Sequence, residues 1–95
     1  MSGTKHKRLA QTAQFKTDFK KIAKSGRYKI QDFKVVIDLL IMDEPLPYKY
    51  KDHSLVGEWD HYRECHIKPD WLLIYKNDLA CLTLVRKGSH SDLFH

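Results

Sequence analysis

Two stretches of helical periodicity stand back to back in the first half of this chain, and they constrain its fold more than any other feature. From Ala13 the apolar residues fall at Phe15, Phe19, Ile22 and Ala23, the spacing of one helical face, while Lys16, Lys20 and Lys24 occupy another. Ser25-Gly26 closes that pattern, since glycine tolerates the backbone turn just beyond a helix end. A second face follows at Ile30, Phe33, Val36, Ile37, Leu40 and Ile41. Asp43-Glu44-Pro45 stops it, because the residue before a proline avoids helical dihedrals. The joint between the two is short, so an antiparallel helix pair is expected. Each helix has one apolar stripe, and the pair needs a further layer to bury it.

The rest of the chain supplies that layer. Residues 44–60 read as a long loop, with Pro45, Pro47 and Gly57 among polar groups. Three strand patterns follow, Tyr62 to Ile67, Trp71 to Lys76 and Leu79 to Lys87, separated by the turn signals Lys68-Pro69-Asp70 and Asn77-Asp78. Turns this short imply an antiparallel meander. Leu9 to Thr12 can add a first strand. The expected fold is α+β in two layers, two N-terminal helices packed on a small antiparallel sheet. A chain of 95 residues has room for one domain, read here as residues 9–95 behind a disordered extension at residues 1–8.

Composition narrows the setting. No stretch approaches the roughly 20 apolar residues of a membrane span, and no apolar segment follows the basic start as in a secretory signal. Cys65 and Cys81 are too few for a disulfide framework and lack metal-ligand spacing. No HxxxH, CxxC or HExxH spacing occurs, so neither a metal nor another cofactor is expected. A reducing, cytoplasmic setting fits these features. The net charge of +5 is unevenly spread: residues 1–34 hold ten Lys/Arg against two acids, and the remainder is net acidic. The basic half suits a polyanion, whose binding is strengthened by counterion release.

The C-terminal half concentrates groups that titrate or bind anions. His53 lies in the long loop, and Glu64 and His66 are two apart on a strand and so share a face. Asp70 and Trp71 sit at the next turn, Arg86 ends the last strand, and His90 and Phe94 follow. Taken singly, each has an ordinary explanation as a solvated, turn or core residue; their joint placement carries the argument. RNA cleavage requires proton removal from a 2′-OH, stabilisation of a charged phosphoryl group and protonation of the leaving 5′-oxygen. Histidine titrates near neutrality, a carboxylate accepts a proton or orients a histidine, and arginine clamps phosphate with parallel hydrogen bonds. Aromatic rings such as Trp71 and Phe94 can stack on unpaired bases. Which group is the base is left open, and a bulge near Arg86 would change the face it serves.

Three segments of the sequence carry a resemblance. They are Tyr50-Lys51-Asp52-His53-Ser54-Leu55 with Gly57; Tyr62-Arg63-Glu64-Cys65-His66-Ile67-Lys68-Pro69-Asp70-Trp71-Leu72-Leu73-Ile74-Tyr75; and Arg86-Lys87-Gly88-Ser89-His90-Ser91-Asp92-Leu93-Phe94. Together they resemble the YafQ-like branch of the RelE/ParE toxin superfamily. The resemblance implies a RelE-like fold with a curved antiparallel sheet. It also implies a type II toxin that enters the ribosomal A site and cuts mRNA without a metal. Its functional positions fall on His53, Glu64, His66, Asp70, Trp71, Arg86, His90 and Phe94. By that analogy His90 is the general acid. Asp70, Glu64 or His66 serves as base or orients it, Arg86 stabilises the phosphate, and His53 positions it. Lys16, Lys20 and Lys24 would meet ribosomal RNA. Glu64 departs from the aspartate of the pattern. The implied partner is a ribbon-helix-helix antitoxin, which would bring operator DNA only through the complex; no membrane partner is implied. Two other classes compete. A ParE-like gyrase inhibitor needs no such set of histidines, and a non-catalytic RNA-binding module is supported by charge alone.

Overall fold

The computed structural model describes residues 7–89. Strand β1 (Arg8–Gln11) leads into helix α1 (Ala13–Ser25) and helix α2 (Ile30–Ile41). A connection with 3-10 turns at Tyr48–Tyr50 and Gly57–Trp59 frames the short strand β2 (His53–Ser54). Strands β3 (Arg63–Lys68), β4 (Trp71–Asn77) and β5 (Cys81–Gly88) complete one five-stranded sheet in the order β1-β5-β4-β3-β2. Two helices on a mostly antiparallel sheet give the expected α+β class. The sheet departs from the purely antiparallel expectation at β1, which runs parallel to β5 with Arg8 opposite Cys81 and Gln11 opposite Leu84. The two helices and the remaining strands intervene, so the chain returns to β1 by a crossover and not by a hairpin. β1 begins at Arg8, inside the stretch read as an extension, because its amide already bonds to the Ala80 carbonyl at 3.0 Å.

Local chemistry explains the helix ends. Thr12 caps α1 by accepting from the Phe15 amide at 3.0 Å, and its hydroxyl donates to the Val85 carbonyl at 2.8 Å. One side chain thus starts the helix and ties it to β5. Gly26, at φ 69°, takes the left-handed conformation that ends α1. The helices bury Phe15, Val36, Ile37 and Leu40 against Cys65, Ile67, Trp71, Leu73, Tyr75, Leu82 and Leu84 of the sheet. Burying a side chain such as Phe15 stabilises the fold by about 1.5–3 kcal/mol relative to exposure.

One irregularity sets the geometry of the last strand. Ile74 faces Arg86 across the ladder, but the next residue of β4, Tyr75, faces Leu84. Val85 is therefore an extra residue, a β-bulge. Strict alternation from Leu82 and Leu84 would turn Arg86 toward the helices. The bulge puts Lys87 there instead, and Arg86 joins the row that runs across four strands through Ile74 and Glu64 to His53.

Candidate active site

β2 is two residues long, yet its pairing places His53 directly opposite Glu64. The loop before it is fixed by Asp52. That carboxylate accepts from Arg63 Nε at 3.2 Å and Nη2 at 3.1 Å, and also from the Tyr75 hydroxyl. Arg63 is held more firmly in its charged form by the hydrogen bond to Asp52, against the opposing effect of burial. The Tyr75 phenol is pushed well above its ordinary range, by burial first and by Asp52 second, and remains a donor. Lys51, just before, has φ 49° and is one of two non-glycine residues with positive φ among the described residues. That left-handed step aims its carbonyl at the His53 ring, which contacts it through Nδ1 at 2.7 Å.

A carbonyl only accepts, so His53 Nδ1 carries a proton and Nε2 is the atom free to exchange one. Nε2 lies 3.4 Å from Glu64 Oε1. His66 is arranged the same way. Its Nδ1 lies 3.3 Å from the Pro69 carbonyl, and its Nε2 lies 3.8 Å from the same Glu64 oxygen. Two imidazoles, each anchored by Nδ1 on a backbone carbonyl, thus present Nε2 to one carboxylate. The two rings are 6.4 Å apart, centroid to centroid. Glu64 is only 3% exposed. Its second oxygen, Oε2, accepts no hydrogen bond among the described residues. A buried acceptor of this kind is costly to leave unpaired.

The other expected residues are placed differently. Arg86 shares the cross-strand row of Glu64, but its guanidinium is held by Asp18 of α1, with Nε at 3.0 Å and Nη2 at 3.3 Å. Asp70 sits at the β3–β4 turn, where it accepts from the Tyr28 hydroxyl at 2.9 Å and lies 3.7 Å from Arg27. Trp71, expected as a stacking platform for a base, is instead wholly buried. It stacks against Tyr28 at 4.7 Å and Phe33 at 6.4 Å, because alternation along β4 turns it toward the helices. Its ring therefore presents no exposed face on which a base could stack. Lys16, Lys20 and Lys24 lie exposed on α1, as expected from their spacing. His90 and Phe94 lie outside the described residues.

Three groups escaped the sequence reading. Asp18 is 8% exposed and accepts from Arg86, from Gln14 Nε2 at 3.0 Å and from the Lys87 amide at 3.1 Å. Burial acts to raise its pKa, but the hydrogen bonds from Arg86, Gln14 and Lys87 prevail and hold it below the ordinary carboxylate value. Its position on the apolar face of α1, between Phe15 and Phe19, was the visible signal. For Asp52 the signal was its place directly before His53 in the sequence. Lys87, 1% exposed, was hidden by the bulge. Cys65 is inert, since burial above all pushes its thiol far up. Among the described residues there is no group of three or more His, Cys, Asp or Glu poised to hold a metal ion, and no helix is long and apolar enough to cross a membrane.

Comparison with known proteins adds the context. The family model described as "Bacterial toxin of type II toxin-antitoxin system, YafQ" matches residues 7–95. The mRNA interferase toxin YafQ of Escherichia coli K12 is 43% identical over 75 residues, 78% of this chain and 82% of that protein. The crystal structure of a copper-bound mutant toxin from Helicobacter pylori superposes with a TM-score of 0.87 at 41% identity, covering 92% of this chain and 98% of the other. That of the DinJ-YafQ complex from Escherichia coli gives 0.83 at 38%, covering 94% and 99%.

Proposed function

Because the chain belongs to the YafQ family of bacterial toxins of type II toxin–antitoxin systems, we propose that it is an mRNA endoribonuclease whose chemistry centres on His53, Glu64 and His66. The observation that carries this reading is the buried Glu64 carboxylate flanked by two imidazoles whose Nδ1 atoms are fixed on carbonyls. The Glu64 carboxylate receives the proton of the 2′-OH. The O2′–P bond forms as the P–O5′ bond breaks, giving a 2′,3′-cyclic phosphate and a 5′-hydroxyl. His53 and His66 offer Nε2 beside the phosphoryl oxygens, and such fixed polar groups act where charge develops. His90 supplies the proton of the leaving oxygen. Arg86 approaches the phosphate from the same cross-strand row. Asp70 borders the site at the β3–β4 turn, with Trp71 packed in the core beneath that turn. No metal takes part.

The exposed lysines of α1 and the overall positive charge support engagement of ribosomal RNA, with cleavage of the message in the A site. The relative in Escherichia coli forms a complex with DinJ, and a ribbon-helix-helix antitoxin is proposed here in the same role. Operator DNA would then be met through that complex. A gyrase-inhibiting function would leave the carboxylate and its two imidazoles without a task. Primer extension on a translated message tests the reading. Discrete cuts within the reading frame are expected with the parent protein, unaffected by a chelator, and far weaker ones with Glu64→Gln. An intact message in cells poisoned by the parent would overturn it.

A further inference from the structure

A cleft of about 400 Å³ has His66 in its lining. It opens between the 3-10 turn at Tyr48–Tyr50 and the end of β3, with Asp32 of α2 on its rim. Lys49, Lys51 and Lys68 line it, and the buried Tyr50 ring forms part of its floor. Lys49 Nζ lies 5.1 Å from the centroid of that ring, and Lys68 Nζ lies 3.5 Å from Asp32. Three cations therefore face one carboxylate around a partly apolar hollow. The volume lies within the range of pockets that enclose small organic ligands. His66 is the shared wall, with Nε2 toward Glu64 and the ring bordering the cleft.

We propose that this cleft is a nucleotide subsite, which holds the single-stranded RNA next to the scissile linkage by its phosphates. The inference rests on the nuclease reading and extends it by naming where the strand runs. A strand whose reacting phosphate lies against His53 and His66 must leave the site on one side of His66. The cleft is there, with a basic rim for phosphate and a floor for ribose and base. Lys49 and Lys51 reach it from the turn that also orients His53, so capture of the neighbouring nucleotide and alignment of the reacting one share a single element. The amphipathic lysine stems can cover apolar surface while their ammonium groups meet phosphate.

The test uses a short single-stranded RNA, 2′-O-methylated throughout so that it cannot be cleaved, and fluorescence anisotropy across a salt series. The triple variant Lys49→Gln/Lys51→Gln/Lys68→Gln is expected to bind roughly tenfold more weakly at low salt. Its log–log salt slope should be shallower by about 0.7 for each phosphate that a lysine no longer neutralises. The corresponding Lys→Arg triple should keep both affinity and slope. A control triple at the exposed Lys29, Lys34 and Lys76, changed to Gln, removes the same charge elsewhere and should bind almost as the parent does. Equal weakening in the control and cleft variants would overturn the subsite, as would unchanged binding by the cleft variant or no binding by the parent. Weakening confined to duplex RNA of the same composition would also overturn it. Because binding is read without turnover, the subsite can fail while the nuclease reading stands, and undiminished cleavage by Glu64→Gln would sink the latter alone.

Discussion

Lys87 Nζ lies 3.7 Å from the centroid of the Phe33 ring, and the rings of Phe19, Trp71 and Phe15 stand at 4.0, 4.4 and 5.8 Å around it. The ammonium group is buried and makes no hydrogen bond among the described residues. Its surroundings hold four aromatic faces, which attract a cation but do not replace the hydrogen bonds of water. Burial draws its pKa down to about 7, and the ring faces oppose that shift.

The first prediction concerns this residue. Lys87→Met keeps the length of the side chain, removes the buried charge and should raise stability at neutral pH by about 1–3 kcal/mol. The pH dependence follows from the depressed value. Below about pH 7 the amine is protonated in both folded and unfolded chains, and the full cost of burial is present. Between there and the ordinary lysine range the unfolded chain holds the extra proton, so the stability of the parent rises with pH. Urea unfolding at about pH 7 and pH 9 should show that rise in the parent and its loss in the variant. Identical pH profiles would contradict it.

Asp18 has the opposite sign. Its pKa is lowered in the fold from 3.8, so its contribution is present above that value and disappears as pH falls through the folded pKa. Asp18→Asn keeps the shape but opposes an amide to the Arg86 guanidinium, and should cost about 2–4 kcal/mol at neutral pH. Because Arg86 is then no longer held, cleavage should fall as well, while the stability of the variant varies less below pH 4. Unfolding midpoints measured across the acid range, beside single-turnover cleavage at neutral pH, check both parts.

Asp52 offers a test of how the His53 loop is held. Tyr75→Phe removes one donor to a part-buried carboxylate that Arg63 still contacts, and should cost about 1–2 kcal/mol with little effect on cleavage. Asp52→Asn loses the ionic half of every contact and should cost more. Its effect on cleavage should exceed its effect on stability, since the loop before β2 carries His53 and the carbonyl that orients it. Thermal unfolding and cleavage measured side by side separate the two variants. Equal losses of activity would show that the loop is positioned by something other than this carboxylate.

Much of the architecture was legible because it is periodic. Phe15, Phe19 and Ile22 repeat as a helix does, and the turn signals at Pro69 and Asn77 delimit β4. The pairing of Glu64 with His66 followed from strand parity, and the resemblance brought His53 into the same set. What parity could not supply was the bulge at Val85, which exchanges the faces of Arg86 and Lys87 through one unpaired residue with no sequence mark of its own. Trp71 misled for a related reason: a tryptophan at a turn reads equally as an exposed ring or a core ring, and only the packing of Tyr28 and Phe33 decides between them. The parallel pairing of β1 depends on the path of two helices and lies beyond any local signal.

The shared oxygen between the two imidazoles makes a final prediction about coupling. Glu64→Gln, His53→Ala and His66→Ala should each lower single-turnover cleavage by roughly 10²–10⁴-fold. Groups that act as one unit lose their effect together, so the double variant Glu64→Gln/His53→Ala should be little worse than Glu64→Gln alone. Folding should be retained in Glu64→Gln, since the amide fills the same volume and a buried charge is removed. A double variant whose loss is the product of the two single losses would mean that His53 and Glu64 act independently, and that the 3.4 Å approach between them has no part in proton transfer.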